Sequence, residues 1–216
     1  MADSSMHQGQ TSPIRSLPKL LIVSFLIFGI FLRIFHLDHK IFWVDEVATA
    51  IRISGHTFAE STAQLSSRPF FGTDDLHRYQ FPQAISSPGD TVRSLVLEDS
   101  QHPPLYFLLV RRWVELVGPS VASIRSFSVL TSLLILPALY WLCRELFQKA
   151  IVGEFAVVLA AVSPLQVVYA QEARPYSLWM LAIVVASALL AKTLRTRQFG
   201  WLWPYALVCS LGLYTQ

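Results

Sequence analysis

A chain of 216 residues that is 53% hydrophobic and only 14% charged, with a mean hydropathy of +0.47, has the composition of a polytopic membrane protein and not of a soluble domain. Its net charge of +3, without any long basic run, argues against nucleic acid as a partner. Cys143 and Cys209 fall in apolar stretches with neither CxxC spacing nor neighbouring histidines, which points to buried small residues and to neither disulfide nor zinc.

In chain order, residues 1–19 are expected to form a cytoplasmic leader, polar and without periodicity through residue 16. Residues 20–37 form the first expected span. Its centre, LLIVSFLIFGIFL, is uncharged, and Arg33 and His36 come late enough to snorkel to the far interface. Lys19 ahead of a short apolar core also resembles a signal peptide, but the nearby small-x-small site, Ala48 to Ala50, lies well past that core.

Residues 38–123 are far more polar and are expected to form a large loop with short helices. The run Asp45 to Ser54 has an Asp where a helix N-cap would sit and Gly55 where the helix would stop. Residues 61–95 look irregular. Residues 103–117 are apolar but short and interrupted by Arg111, Arg112 and Glu115. A crossing needs about 20 mostly apolar residues, so this segment is expected to be a juxtamembrane helix, with Pro103 and Pro104 in its first turn. The remaining expected spans are 124–143, with Pro137 as a kink, 151–170, containing Pro164, and 176–191. The loops between them are 144–150, 171–175 and 192–198. A fifth span, 199–216, is cut off by the chain end, so the sequence is expected to be the N-terminal part of a longer protein.

With 103–117 lying along the bilayer, the short basic clusters Arg15/Lys19, Arg144/Lys149 and Lys192/Arg195/Arg197 all face the cytoplasm. The same topology places residues 171–175 and the long loop together on the outer side. Asp45/Glu46 and Glu172 then share one compartment near one membrane surface.

Three clusters carry groups capable of chemistry. Asp45 is the candidate general base, since a hydroxyl attacking a sugar carbon needs its proton removed; a helix cap is its plain alternative. Glu46 is a candidate to share a proton, bind a metal or orient an acceptor, or else is a solvated first-turn acid. Trp43 is read as an interface anchor before a sugar platform. In the segment Gln171 to Tyr176, Arg174 offers paired donors to a phosphate, with an interfacial salt bridge as the alternative. In Asp99 to Tyr106, His102 and Asp99 are oxygen and nitrogen donors, against which stands a structural His at a helix start.

The string FWVDEVATA after a first span, then HPPLYFLLV, then SPLQVVYAQEARPYSL, resembles the GT-C superfamily of membrane glycosyltransferases, with the protein O-mannosyltransferase and aminoarabinose-transferase group as the nearest branch. The resemblance runs from about residue 18 to the end and implies an all-α polytopic bundle with a large first extracytoplasmic loop. It implies transfer of a sugar, with inversion, from a polyprenyl-phosphate carrier to a glycan, lipid or protein acceptor. The family's first-loop acid falls on Asp45, its second-loop acid on Glu172, and its juxtamembrane motif on His102 and the two prolines. Substrate binding is expected of Glu46, His102, Glu172, Arg174 and Tyr176, and a divalent metal at Glu172 and His102. Many relatives carry an acid two residues before that His, where this chain has Ser100, so Asp99 departs from the pattern. The expected setting is the bacterial plasma membrane. A transporter, a carrier-lipid-binding protein and an inactive fragment are the competing readings; charges gathered at one interface, with almost none in the central spans, favour surface chemistry.

Overall fold

The computed structural model describes residues 17–70 and 72–215, with side chains from residue 19, so the expected leader up to residue 16 lies outside the described residues. Among the described residues there are eleven α-helices and no strand, in keeping with the all-α class. They are α1 (Leu17–Ile34), α2 (Val44–Ser54), α3 (Phe58–Ser66), α4 (Thr73–Gln80), α5 (Pro88–Glu98), α6 (Leu105–Val117), α7 (Val121–Phe147), α8 (Ala150–Val162), α9 (Pro164–Ala170), α10 (Tyr176–Thr196) and α11 (Leu202–Leu213). A 3-10 turn, Phe199–Trp201, precedes the last.

The long helices pack as a row, α1 against α8, α8 against α7, α7 against α10 and α10 against α11. Among the described residues two helices, α7 and α10, are long and apolar enough to cross a membrane, and a third crossing follows if α8 and α9 count as one. The span expected at 151–170 is bent by 60° because Pro164 has no N–H to give to the carbonyl of Ala160. Arg33 fills that gap. It does not snorkel, as its late position suggested, but is 1% exposed and donates to the carbonyls of Ala160 and Ala161, to Gly29 and to Ser132 Oγ. Buried in this way, a guanidinium with five donors satisfies a broken helix end. Gly29 permits the approach, since a Cβ there would lie 2.5 Å from the Ala161 carbonyl oxygen.

A second layer, α2 to α6, sits on the first turns of α7. The stretch expected to be irregular instead forms most of α3, α4 and α5, because each has a local N-terminal device. Thr57 Oγ1 accepts from Glu60 N–H while Glu60 accepts from Thr57 N–H, both at 3.0 Å. Asp75 accepts from Gly72 N–H, and Asp90 accepts from Ser87 N–H behind Pro88 at the first position of α5. Gly55 ends α2 at φ +90, the left-handed conformation its lack of Cβ allows.

The expected juxtamembrane helix corresponds to α6, too short to cross by itself. Tyr106, Phe107, Val110 and Val114 lie on its buried face and join Ala50, Ile53, Leu95, Ile124 and Phe127 in one core. Arg111 belongs to that face as well. It donates to Ile53 O at the end of α2, to Ser86 O and Oγ, and to Glu115, so the charges that interrupt this segment tie the layer together.

Candidate functional site

The site forms where the start of α2 meets the connection between α9 and α10. Trp43, not Asp45, is the N-cap of α2, which corrects the cap reading. Asp45 sits in the first turn, where the helix dipole favours an anion. Its side chain is 40% exposed and 3.9 Å from Arg174 Nη2, and its carboxylate accepts no hydrogen bond among the described residues. Lone pairs open to solvent and a cation alongside are what a proton acceptor beside an anionic substrate needs.

Glu46, one residue on, points the other way and is wholly buried. Its carboxylate receives Arg125 Nε at 2.8 Å and Nη2 at 2.7 Å, and the amide of Ala173 at 2.9 Å. It is therefore neither solvated nor open to an acceptor or a metal. Arg125 also donates to the carbonyls of Leu37, Lys40 and Ile41. One buried guanidinium thus fixes the turn after α1, the start of α2 and, through Glu46, residue 173. Sequence reasoning passed over Arg125; the available signal was a lone Arg at the head of an apolar run, which must find partners.

The 171–175 connection is clamped residue by residue. Gln171 donates to Leu32 O, Glu172 receives Lys40 Nζ at 2.8 Å, Ala173 N–H binds Glu46, and Arg174 O accepts from Ser128. Arg174 also lies over the Tyr176 ring, 5.6 Å from its centroid. Its Nε is buried without a partner and its Nη2 is only loosely paired, so this guanidinium retains donors for an anion. Wholly buried Tyr106 adjoins this group; burial pushes its phenol above the usual range, opposed by Ser128 and the Arg174 charge.

A cleft of about 440 Å³ opens here, lined by Trp43, Leu165, Val168, Tyr169, Glu172 and Tyr176. The bend at Pro164 turns α9 so that it forms one wall. Tyr169 and Tyr176 meet edge to face at 4.9 Å, and three aromatic rings beside one carboxylate make a surface suited to a sugar ring or an isoprenoid head.

Asp45, Glu46, Glu172, Arg174 and Tyr176 are therefore gathered at one end of the bundle. His102 is engaged elsewhere, its Nδ1 2.7 Å from Asp99 Oδ1, in a group completed by Arg52 and Glu98. Glu172 and His102 share no partner, and no three of His, Cys, Asp and Glu converge among the described residues. The donor set expected for a divalent metal at Glu172 and His102 is not assembled among the described residues.

A family model described as dolichyl-phosphate-mannose-protein mannosyltransferase matches residues 101–216, just over half of the chain. No curated protein and no solved structure matches it.

Proposed function

The chain belongs to the dolichyl-phosphate-mannose-protein mannosyltransferase family of membrane glycosyltransferases, and from that premise we propose that Asp45 is the base in a sugar transfer from a polyprenyl-phosphate donor to a hydroxyl acceptor. The transfer proceeds on the extracytoplasmic side with inversion. The acceptor oxygen attacks the anomeric carbon, the bond from that carbon to the phosphate oxygen breaks, and the electron pair leaves with the polyprenyl phosphate. The hydroxyl proton passes to Asp45. A phosphate is stable as an anion, so one base suffices without the second carboxyl group that glycoside hydrolysis requires.

Arg174 takes the phosphate in this reading, with spare donors aimed at the charge that grows as the bond breaks. The cleft between Trp43 and α9 receives the sugar and the first isoprene units. Lys40 neutralises Glu172, which keeps that acid from repelling the donor. Glu46 acts through Arg125 and Ala173, holding Asp45 and Arg174 in register without touching substrate.

The observation that carries this reading is the approach of Asp45 to Arg174 at 3.9 Å across two segments far apart in the chain. The test is transfer of radiolabelled mannose from polyprenyl-phosphate mannose by the protein in liposomes. Asp45→Asn is expected to lower turnover by about 10²- to 10⁴-fold. Equal turnover by both forms would remove Asp45 as the base.

A further inference from the structure

A second group on this chain calls for a ligand at the other end of the bundle. From residue 38 onward, every described acidic side chain has a hydrogen-bond or ion-pair partner among the described residues, except Asp74 and Glu154. Asp74 is exposed on α4, where water solvates it. Glu154 is half-buried on α8, a helix whose other residues are all apolar or small. It lines a cleft of about 620 Å³ between α1, α7 and α8 whose walls are Ile22, Leu26 and Ile30 on one side and Leu133 and Leu136 on another. Tyr140, also on the wall, is about 22 Å along α7 from Arg125, so this cleft is remote from Asp45.

A carboxylate in such surroundings needs a counter-charge. Beyond Glu154 the walls supply one phenol, that of Tyr140, and no second carboxylate, so a bare metal ion would be badly coordinated. The apolar faces suit a hydrocarbon chain instead. Lys19, Arg144 and Lys149 belong to the same end of the three helices and form no ion pair with an acid among the described residues. An apolar wall, a lone carboxylate and nearby unpaired cations together match a chain, an ammonium and a phosphate.

We propose that this cleft binds a phospholipid whose headgroup carries a primary amine, with the ammonium on Glu154 and an acyl chain along α1 and α7. A primary ammonium has three N–H donors for the carboxylate, whereas a choline headgroup has none. A purely anionic headgroup would set its charge against Glu154.

The test is competitive lipid retention. The protein is incorporated into nanodiscs with equal parts phosphatidylethanolamine, phosphatidylcholine and phosphatidylglycerol, then released into mild detergent, and the lipid that stays bound is quantified by native mass spectrometry. Phosphatidylethanolamine is expected to be enriched about fivefold over phosphatidylcholine, the scale of one partly exposed ion pair. Glu154→Gln is expected to abolish the enrichment, and Leu133→Trp, which fills the cleft without changing charge, to abolish it too. Equal retention of the two lipids by the unaltered protein, dominance of phosphatidylglycerol, or enrichment that survives either substitution overturns the proposal. Should Glu154→Gln fail to fold, Leu133→Trp alone decides between the same outcomes.

Discussion

Glu46 and Arg125 meet through two hydrogen bonds of 2.8 and 2.7 Å, with both side chains closed off from solvent, although 79 positions separate them in the chain. A buried pair of this kind is costly to assemble and more costly to break, because either partner alone is an uncompensated charge. Its place here is between the first turn of α2, which carries Asp45, and the connection that carries Arg174. The pair is a spacer for the site and not a member of it.

Arg125→Met is expected to destabilise the protein by about 3–5 kcal/mol, measured by unfolding in mixed micelles. Adding Glu46→Met should recover only part of that loss. The carbonyls of Leu37, Lys40 and Ile41 lose their donor whichever residue replaces Arg125.

The break at Pro164 depends on Arg33 and on the small size of Gly29. Gly29→Ala forces α1 away from the Ala161 carbonyl, and a loss of about 1–3 kcal/mol is expected, in the range for overpacking a tight interface. The same micelle unfolding assay checks it. A loss confined to a few tenths of a kcal/mol would mean that the two helices separate freely and that α9 is not held in place by this contact.

Acid sensitivity in the α2–α6 layer has a named source in Glu98. Burial raises the pKa of its carboxyl, but the amides of Ala59 and Phe58 and the Arg52 guanidinium outweigh burial and hold it below its ordinary value of 4.5. A depressed pKa contributes stability that is complete above the unfolded value and is lost as pH falls through the folded one. The protection factors of the Phe58 and Ala59 amides, exchange rates corrected for the intrinsic pH dependence, should therefore be high at about pH 6 and fall as pH drops below 4.5. Glu98→Gln should lower them at both pH values.

His56 adds a second window. Burial lowers its pKa from 6.5, opposed by Glu60. The folded state thus favours the neutral ring, and stability is complete above 6.5 and declines as pH falls towards the lowered value. Replacement by Asn should flatten the stability profile as pH falls below 6.5; an unchanged profile would place the titration elsewhere.

Much of this architecture is legible in the residues because hydrophobic periodicity and length dominate long helices. α7 and α10 come within a few residues of the runs at 124–143 and 176–191, and α6 follows from an apolar segment too short and too charged to cross. The three small helices at 58–98 were hidden because they are polar and take their stability from packing and capping. The Thr57/Glu60 and Ser87/Asp90 spacings were nonetheless there to be seen. The buried arginines are less legible in the sequence. Position along a span predicts snorkelling for Arg33, whereas the partners that keep it inside come from a proline break 128 positions away.

Asp45 and Arg174 meet at the centre of the site, and the proposed mechanism gives them different tasks. The decisive measurement is donor affinity and single-turnover transfer rate, determined separately for Asp45→Asn and Arg174→Gln with polyprenyl-phosphate mannose. Asp45→Asn should bind donor almost normally and lose about 10²-fold or more in rate. Arg174→Gln should weaken donor binding by about 10- to 100-fold, the loss of a hydrogen bond to a charged group. Undiminished transfer by Asp45→Asn, or donor binding unaffected by Arg174→Gln, would contradict it.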